Sequence, residues 1–228
     1  MAAENSSLIN SILSKGGLSK DVTERTFSVL SEFKSVLQQF ETELRRSVSQ
    51  VDPRIKIQYK DRGTFEAELK VADDLLIFIM HTNALVFEPA HPVWKSSYVS
   101  LDETRATVGM ISIYNFLSDS FKFDRRQDSG YLVARMFINR EGNFFMEGKR
   151  QLGVLFNDYS SMKADREILH NIIEGVVAFS IDIDVNVPPF EAMKEISVHE
   201  AMVNTMQSSV AASKRLGFKF EGESGIDA

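Results

Sequence analysis

Residues 55–87 read IKIQYKDRGTFEAELKVADDLLIFIMHTNALVF, and the rhythm of this stretch decides the fold. Ile55, Ile57 and Tyr59 fall on one face of an extended chain, Asp61-Arg62-Gly63 supplies turn chemistry, and Phe65, Ala67, Leu69 and Val71 resume the two-residue period with Glu66, Glu68 and Lys70 opposite. This pattern predicts a hairpin. Leu75–Met80 and Leu85–Phe87 are expected to extend the sheet across a second turn at His81–Ala84, before Glu88-Pro-Ala-His-Pro92 ends it. The expectation is four antiparallel strands.

Outward from this stretch the period changes. Val22, Val29, Leu30, Phe33, Leu37, Phe40, Leu44 and Val48 recur at helical steps, with Asp21 and Glu24 spaced as a capping box and Pro53 as the stop. On the other side, 100–118 is read as helix, opened by Ser100-Leu-Asp-Glu103 and spaced by Ala106, Met110, Ile113 and Leu117. Tyr131–Ile138, a turn at Asn139–Asn143 and Phe144–Glu147 predict a second hairpin, with Leu152–Phe156 continuing the strand. A helix over 163–178, a strand over 179–187 and a last helix over 190–213 complete the reading. Hairpins joined directly, with helices gathered outside them, predict an α+β fold with a mainly antiparallel sheet, flanked by a long N-terminal helix and C-terminal helices.

The expected organisation is a flexible N-terminal arm at 1–19, one α+β domain at 20–216 and a flexible C-terminal tail at 217–228. The arm carries a short amphipathic turn through Leu8, Ile9, Ile12 and Leu13. Of 228 residues 43% are apolar and 25% charged, a globular composition that excludes low-complexity and collagen-like chains. The net charge of −6 repels polyanions on average, and the lack of cysteine removes disulfides, zinc-thiolate sites and cysteine nucleophiles together. The longest apolar run, Leu75–Met80, falls far short of the about twenty residues that a membrane span needs. Met1-Ala-Ala-Glu lacks the charged and apolar regions of a secretory signal, so the expected compartment is the cytoplasm.

Several catalytic patterns fail on inspection. Gly142–Lys149 has the wrong spacing for a phosphate loop, and Arg150 stands where a hydroxyl is required. His199-Glu200 opens a helical zinc motif whose second ligand position holds Val203. The four histidines, His81, His91, His170 and His199, show no spacing that groups them. Asp182 with Asp184, and Glu66 with Glu68, read as the solvent faces of amphipathic strands.

Asp128, Glu147 and Lys149 form the one constellation with a reaction attached. Two carboxylates meeting at one point can hold Mg²⁺ or Mn²⁺, while a lysine two residues along the strand orients a water and balances charge at phosphorus. In this order the three residues resemble the core of the PD-(D/E)xK nucleases, with Gln127 in place of that family's proline. The surrounding stretch is basic and aromatic, through Lys122, Arg125, Arg126, Arg135, Arg140 and Arg150 with Phe121, Phe123, Tyr131, Phe137, Phe144 and Phe145. The acid-x-Lys triplet also occurs at Glu32 and Glu68, so the motif is not enriched above what this composition gives by chance.

The primary expectation is a non-catalytic binding or assembly module presenting a sheet or helix face to a protein partner or to itself, without cofactor, metal or membrane. Trp94 and the Met-rich last helix, through Met202 and Met206, are the expected partner-facing residues. The alternative is a metal-dependent phosphodiesterase or nuclease acting on nucleic acid through Asp128, Glu147 and Lys149.

Overall fold

The computed structural model describes residues 2–126, 128–184 and 190–194. Helix α1 (Ala2–Val51) buries Val22, Thr26, Val29, Leu30, Phe33, Val36, Leu37 and Phe40 on one face, at the three- and four-residue steps read from the sequence. Strands β1 (Ile57–Asp61), β2 (Glu66–Val71), β3 (Asp74–Met80), β4 (Leu85–Val86), β5 (Thr107–Leu117), β6 (Tyr131–Asn139) and β7 (Phe144–Gly148) form one antiparallel sheet. Their spatial order is β1-β2-β3-β5-β6-β7, with β4 also paired to β5. The other helices are α2 (Ser97–Leu101), α3 (Ser118–Lys122), α4 (Leu152–Leu155), α5 (Arg166–Ile181) and α6 (Phe190–Met193), with 3-10 turns at Pro92–Lys95 and Glu103–Ala106. The architecture is α+β, with both hairpins where the two-residue period put them.

Five elements differ from the sequence reading. Segment 107–117 is a central strand rather than a helix: with Val108, Ile111, Ile113 and Ser112 buried on both faces, the alternation that marks a one-sided strand is lost. The capping chemistry nearby is real but serves short turns, Ser96 accepting from Val99 N–H and Asp102 from Thr104 N–H. β4 pairs with β5 and not with β3; Met80 lies opposite Ile111 and Leu85 opposite Val108, so the chain leaves the sheet at His81–Ala84 and rejoins the same edge.

Leu152–Leu155 is helical rather than strand, entered through Arg150 at φ 49°. The strand expected from Phe179 is the end of α5, because Val176, Val177 and Ser180 continue the buried helical spacing of Leu169, Ile172 and Ile173; residues 185–187 of that expectation lie outside the described residues. α1 begins at Ala2, and Asp21 and Glu24 are exposed residues within it rather than its cap.

α1 and α5 cover one face of the sheet and enclose the main core, which includes Phe33, Leu37, Leu69, Phe78, Ile111, Met136, Ile172 and Val176. Phe33 and Phe78 pack with ring centroids 5.6 Å apart. Each fully buried side chain of this size stabilises by about 1.5–3 kcal/mol, so this layer dominates the energetics. On the opposite face the segment 92–106 caps a second cluster of Val93, Val99, Ala106, Val108, Phe137, Phe145 and Tyr159. The outer edge of β7 is occupied: Phe144 N–H donates to Met162 O (3.2 Å), Met146 N–H to Phe156 O (2.8 Å), and Asn143 bridges Lys163.

Candidate interaction surfaces

The structure sets Asp128, Glu147 and Lys149 on separate levels. Asp128, 3% exposed, accepts from Ser120 Oγ (2.6 Å) and Arg125 Nε (2.7 Å) just beyond the Tyr131 end of β6. Glu147 stands opposite Arg135 in the β6–β7 register; it is paired with that arginine and lies 3.5 Å from His91 Nε2. Tyr131 and Arg135 are four rises apart along β6, about 13 Å. Lys149 N–H donates to Val133 O, and its side chain lines a groove with Leu152, Leu155 and Gly175. Each carboxylate therefore has its own arginine. Among the described residues no group of three or more His, Cys, Asp or Glu side chains is placed to hold a metal ion.

Arginines also engage carboxylates of the other acidic pairs. Arg62 reaches both Glu66 and Glu68, and Asp182 at the end of α5 pairs with Arg150. His91 Nδ1 accepts from Val93 N–H to cap the 3-10 turn, His170 meets the edge of Phe40, and His81 lies in the turn after β3. Trp94 is half-buried, packed on the second cluster, and its indole N–H donates to Glu88 O (3.0 Å). Met202, Met206 and His199 lie outside the described residues.

A polar network fastens the capping segment to the β6–β7 turn. Tyr98 donates to Glu141 Oε2 (2.7 Å), Asn139 Nδ2 to the Tyr98 hydroxyl (2.9 Å), and Arg105 Nε to Glu141 Oε1 (3.1 Å). Tyr159, buried beside them, donates to Arg105 O (2.6 Å). The Tyr98 hydrogen bond, helped by Arg105, holds the Glu141 carboxyl below its ordinary range, whereas burial pushes the Tyr98 and Tyr159 phenols up. Every member has a partner, so this cluster is a clasp.

Among the described residues two surfaces are left at least partly exposed, the first of them interrupted by the buried Ile77 and Ser112. On the sheet face away from α1 and α5, Glu66, Ile79, Ser112, Arg135 and Glu147 run in register across five strands, and Glu68, Ile77, Tyr114 and Leu132 form the adjacent row. Ile79, Tyr114 and Leu132 are half-buried there, between charged ends. The larger opening is on α1: residues 6–17 are exposed all round, with Leu8 59%, Ile9 53%, Ile12 60% and Leu13 66% accessible. The sequence marked these four as an amphipathic turn, and the structure places them on the exposed N-terminal part of a continuous helix. No helix among the described residues is long and apolar enough to cross a membrane. Compared with known proteins, the chain matches no family model, no curated protein and no solved structure.

Proposed function

We propose that the protein is a non-catalytic binding or assembly module that uses the exposed N-terminal part of α1 to join a protein partner or a further copy of itself. The observation that carries this reading is the stripe Leu8, Ile9, Ile12 and Leu13, left exposed on a stretch of α1, residues 6–17, that no other described element covers. Burying each such side chain is worth about 1.5–3 kcal/mol. Ser6, Ser7, Asn10, Ser11, Ser14, Gly16 and Gly17 are poor helix formers, and twelve unpacked residues of this composition gain little from their own propensity. A covering surface supplies what they lack. The separate placement of Asp128 and Glu147, each with its own arginine, favours binding over hydrolysis.

A photo-crosslinking residue at Ile9, introduced into the full chain in cells, tests this. Adducts of defined mass, whether with this chain or another protein, are expected; an Ile9 probe that yields no adduct of any mass overturns the reading.

A further inference from the structure

Building on that reading, we infer that the occupant of the stripe is the same stripe of a second copy, packed antiparallel about a two-fold axis between Asn10 and Ser11. The segment Ser7-Leu-Ile-Asn-Ser-Ile-Leu-Ser14 reads almost identically in both directions, Leu8-Ile9 being mirrored by Ile12-Leu13 and Ser7 by Ser14. A two-fold interface is made of one patch meeting itself, and a helix presents itself in reverse to an antiparallel copy. Ile9 then faces Ile12 of the second copy, Leu8 faces Leu13, and each apolar residue meets another. The only charged residue within 6–17 is Lys15, so the seam sets no like charges across its centre.

The domain selects this orientation over the parallel one. Residues eighteen apart on a 3.6-residue helix point the same way, so Phe27 lies in line with Ile9, and Lys34 with Gly16. That line is occupied by the β1–β2 turn: Phe27 meets the edge of Phe65 at 6.5 Å, and Lys34 pairs with Asp61 at 2.7 Å. A parallel copy would run its own α1 into this turn. An antiparallel copy continues away from it, with the two domains at opposite ends.

A seam of about three helical turns is smaller than the roughly 1,200 Å² that stable complexes bury, so the dimer is expected to dissociate in the micromolar range or above. Sedimentation equilibrium of the full chain should show monomer and dimer in exchange, and Ile9→Lys/Ile12→Lys should raise the dissociation constant at least about tenfold with an unchanged melting profile at concentrations where the chain is monomeric, since the described elements leave both residues exposed. The chain has no cysteine, so single cysteines report orientation. Space around Gly16 is open, and Gly16→Cys mixed with Asn5→Cys should form a disulfide-linked dimer under oxidation. Gly16→Cys alone should not, because the antiparallel pair holds those positions about 16 Å apart along the axis, beyond disulfide reach.

Linkage through Gly16→Cys alone would overturn the antiparallel arrangement and leave the proposed function standing. The same holds for a strictly monomeric chain whose Ile9 probe captures a different protein. A monomeric chain with no Ile9 adduct would remove both.

Discussion

Gly109 in the central strand lies directly beneath Thr26 of α1: a Cβ at position 109 would stand 1.9 Å from the Thr26 hydroxyl oxygen and 2.7 Å from its Cβ. Thr26 is fully buried and its hydroxyl donates to Val22 O at 2.7 Å, so it has no room to retreat. Helix and sheet approach this closely because one residue there has no side chain. Gly109→Ala is expected to destabilise by at least about 1–3 kcal/mol, a fall of several degrees in Tm for a chain of this size, read by thermal denaturation.

The core and the open stripe should respond oppositely to truncation. Phe33→Ala removes a fully buried ring that packs against Phe78 and should cost about 3–5 kcal/mol. Ile12→Ala, at low protein concentration, should stay within about 0.5 kcal/mol of the parent. Urea titrations of both variants check the contrast, and an equal loss from Ile12→Ala would mean that residues 6–17 pack on the domain.

Acid should loosen the capping segment. Glu141 is held below its ordinary value of 4.5 by Tyr98 and Arg105. Its folded value therefore lies below the unfolded one, so its stabilisation is full above the ordinary value and is lost as pH falls through the depressed one. Glu141→Gln should cost about 1–2 kcal/mol at pH 7 and flatten the decline in stability between neutral and strongly acidic pH. Melting curves at stepped pH measure both effects.

Asp128 and Lys149 should separate in their consequences. Asp128→Ala leaves the nearly buried Arg125 unpaired and should destabilise by about 3 kcal/mol. Lys149→Ala should alter stability by less than about 0.5 kcal/mol. Chemical denaturation distinguishes the two, and equal losses would contradict the separate roles the structure gives them.

What was legible in the sequence follows from which surfaces each residue meets. Ala67, Leu69 and Val71 alternate with Glu66, Glu68 and Lys70 because β2 has one core face and one open face, and the period of two survives intact. β5 carries buried residues on both faces, so Ala106, Met110, Ile113 and Leu117 mimicked a helix. Asp21 and Glu24 have the chemistry of a helix start and follow the breaker pair Gly16-Gly17, yet α1 runs straight through both. The sequence also placed Asp128 on the approach to the strand beside Glu147. It could not show how far along that strand each lay, since the β6–β7 register puts Glu147 at Arg135, well inside from Asp128. The stripe at Leu8–Leu13 was visible as a pattern; its exposure among the described residues is a property of the fold alone.

The hydrogen bonds from Phe144 and Met146 to the returning chain have a consequence for colony-like growth of the sheet. With that border sealed, the other terminal ribbon is β1, a short strand whose Gln58, Lys60 and Asp61 lie in solvent. Neither end offers a long greasy backbone ladder on which foreign strands template, which disfavours fibril formation by strand addition. The molecule can therefore keep an apolar helical stripe exposed while the sheet that carries it resists indiscriminate polymerisation.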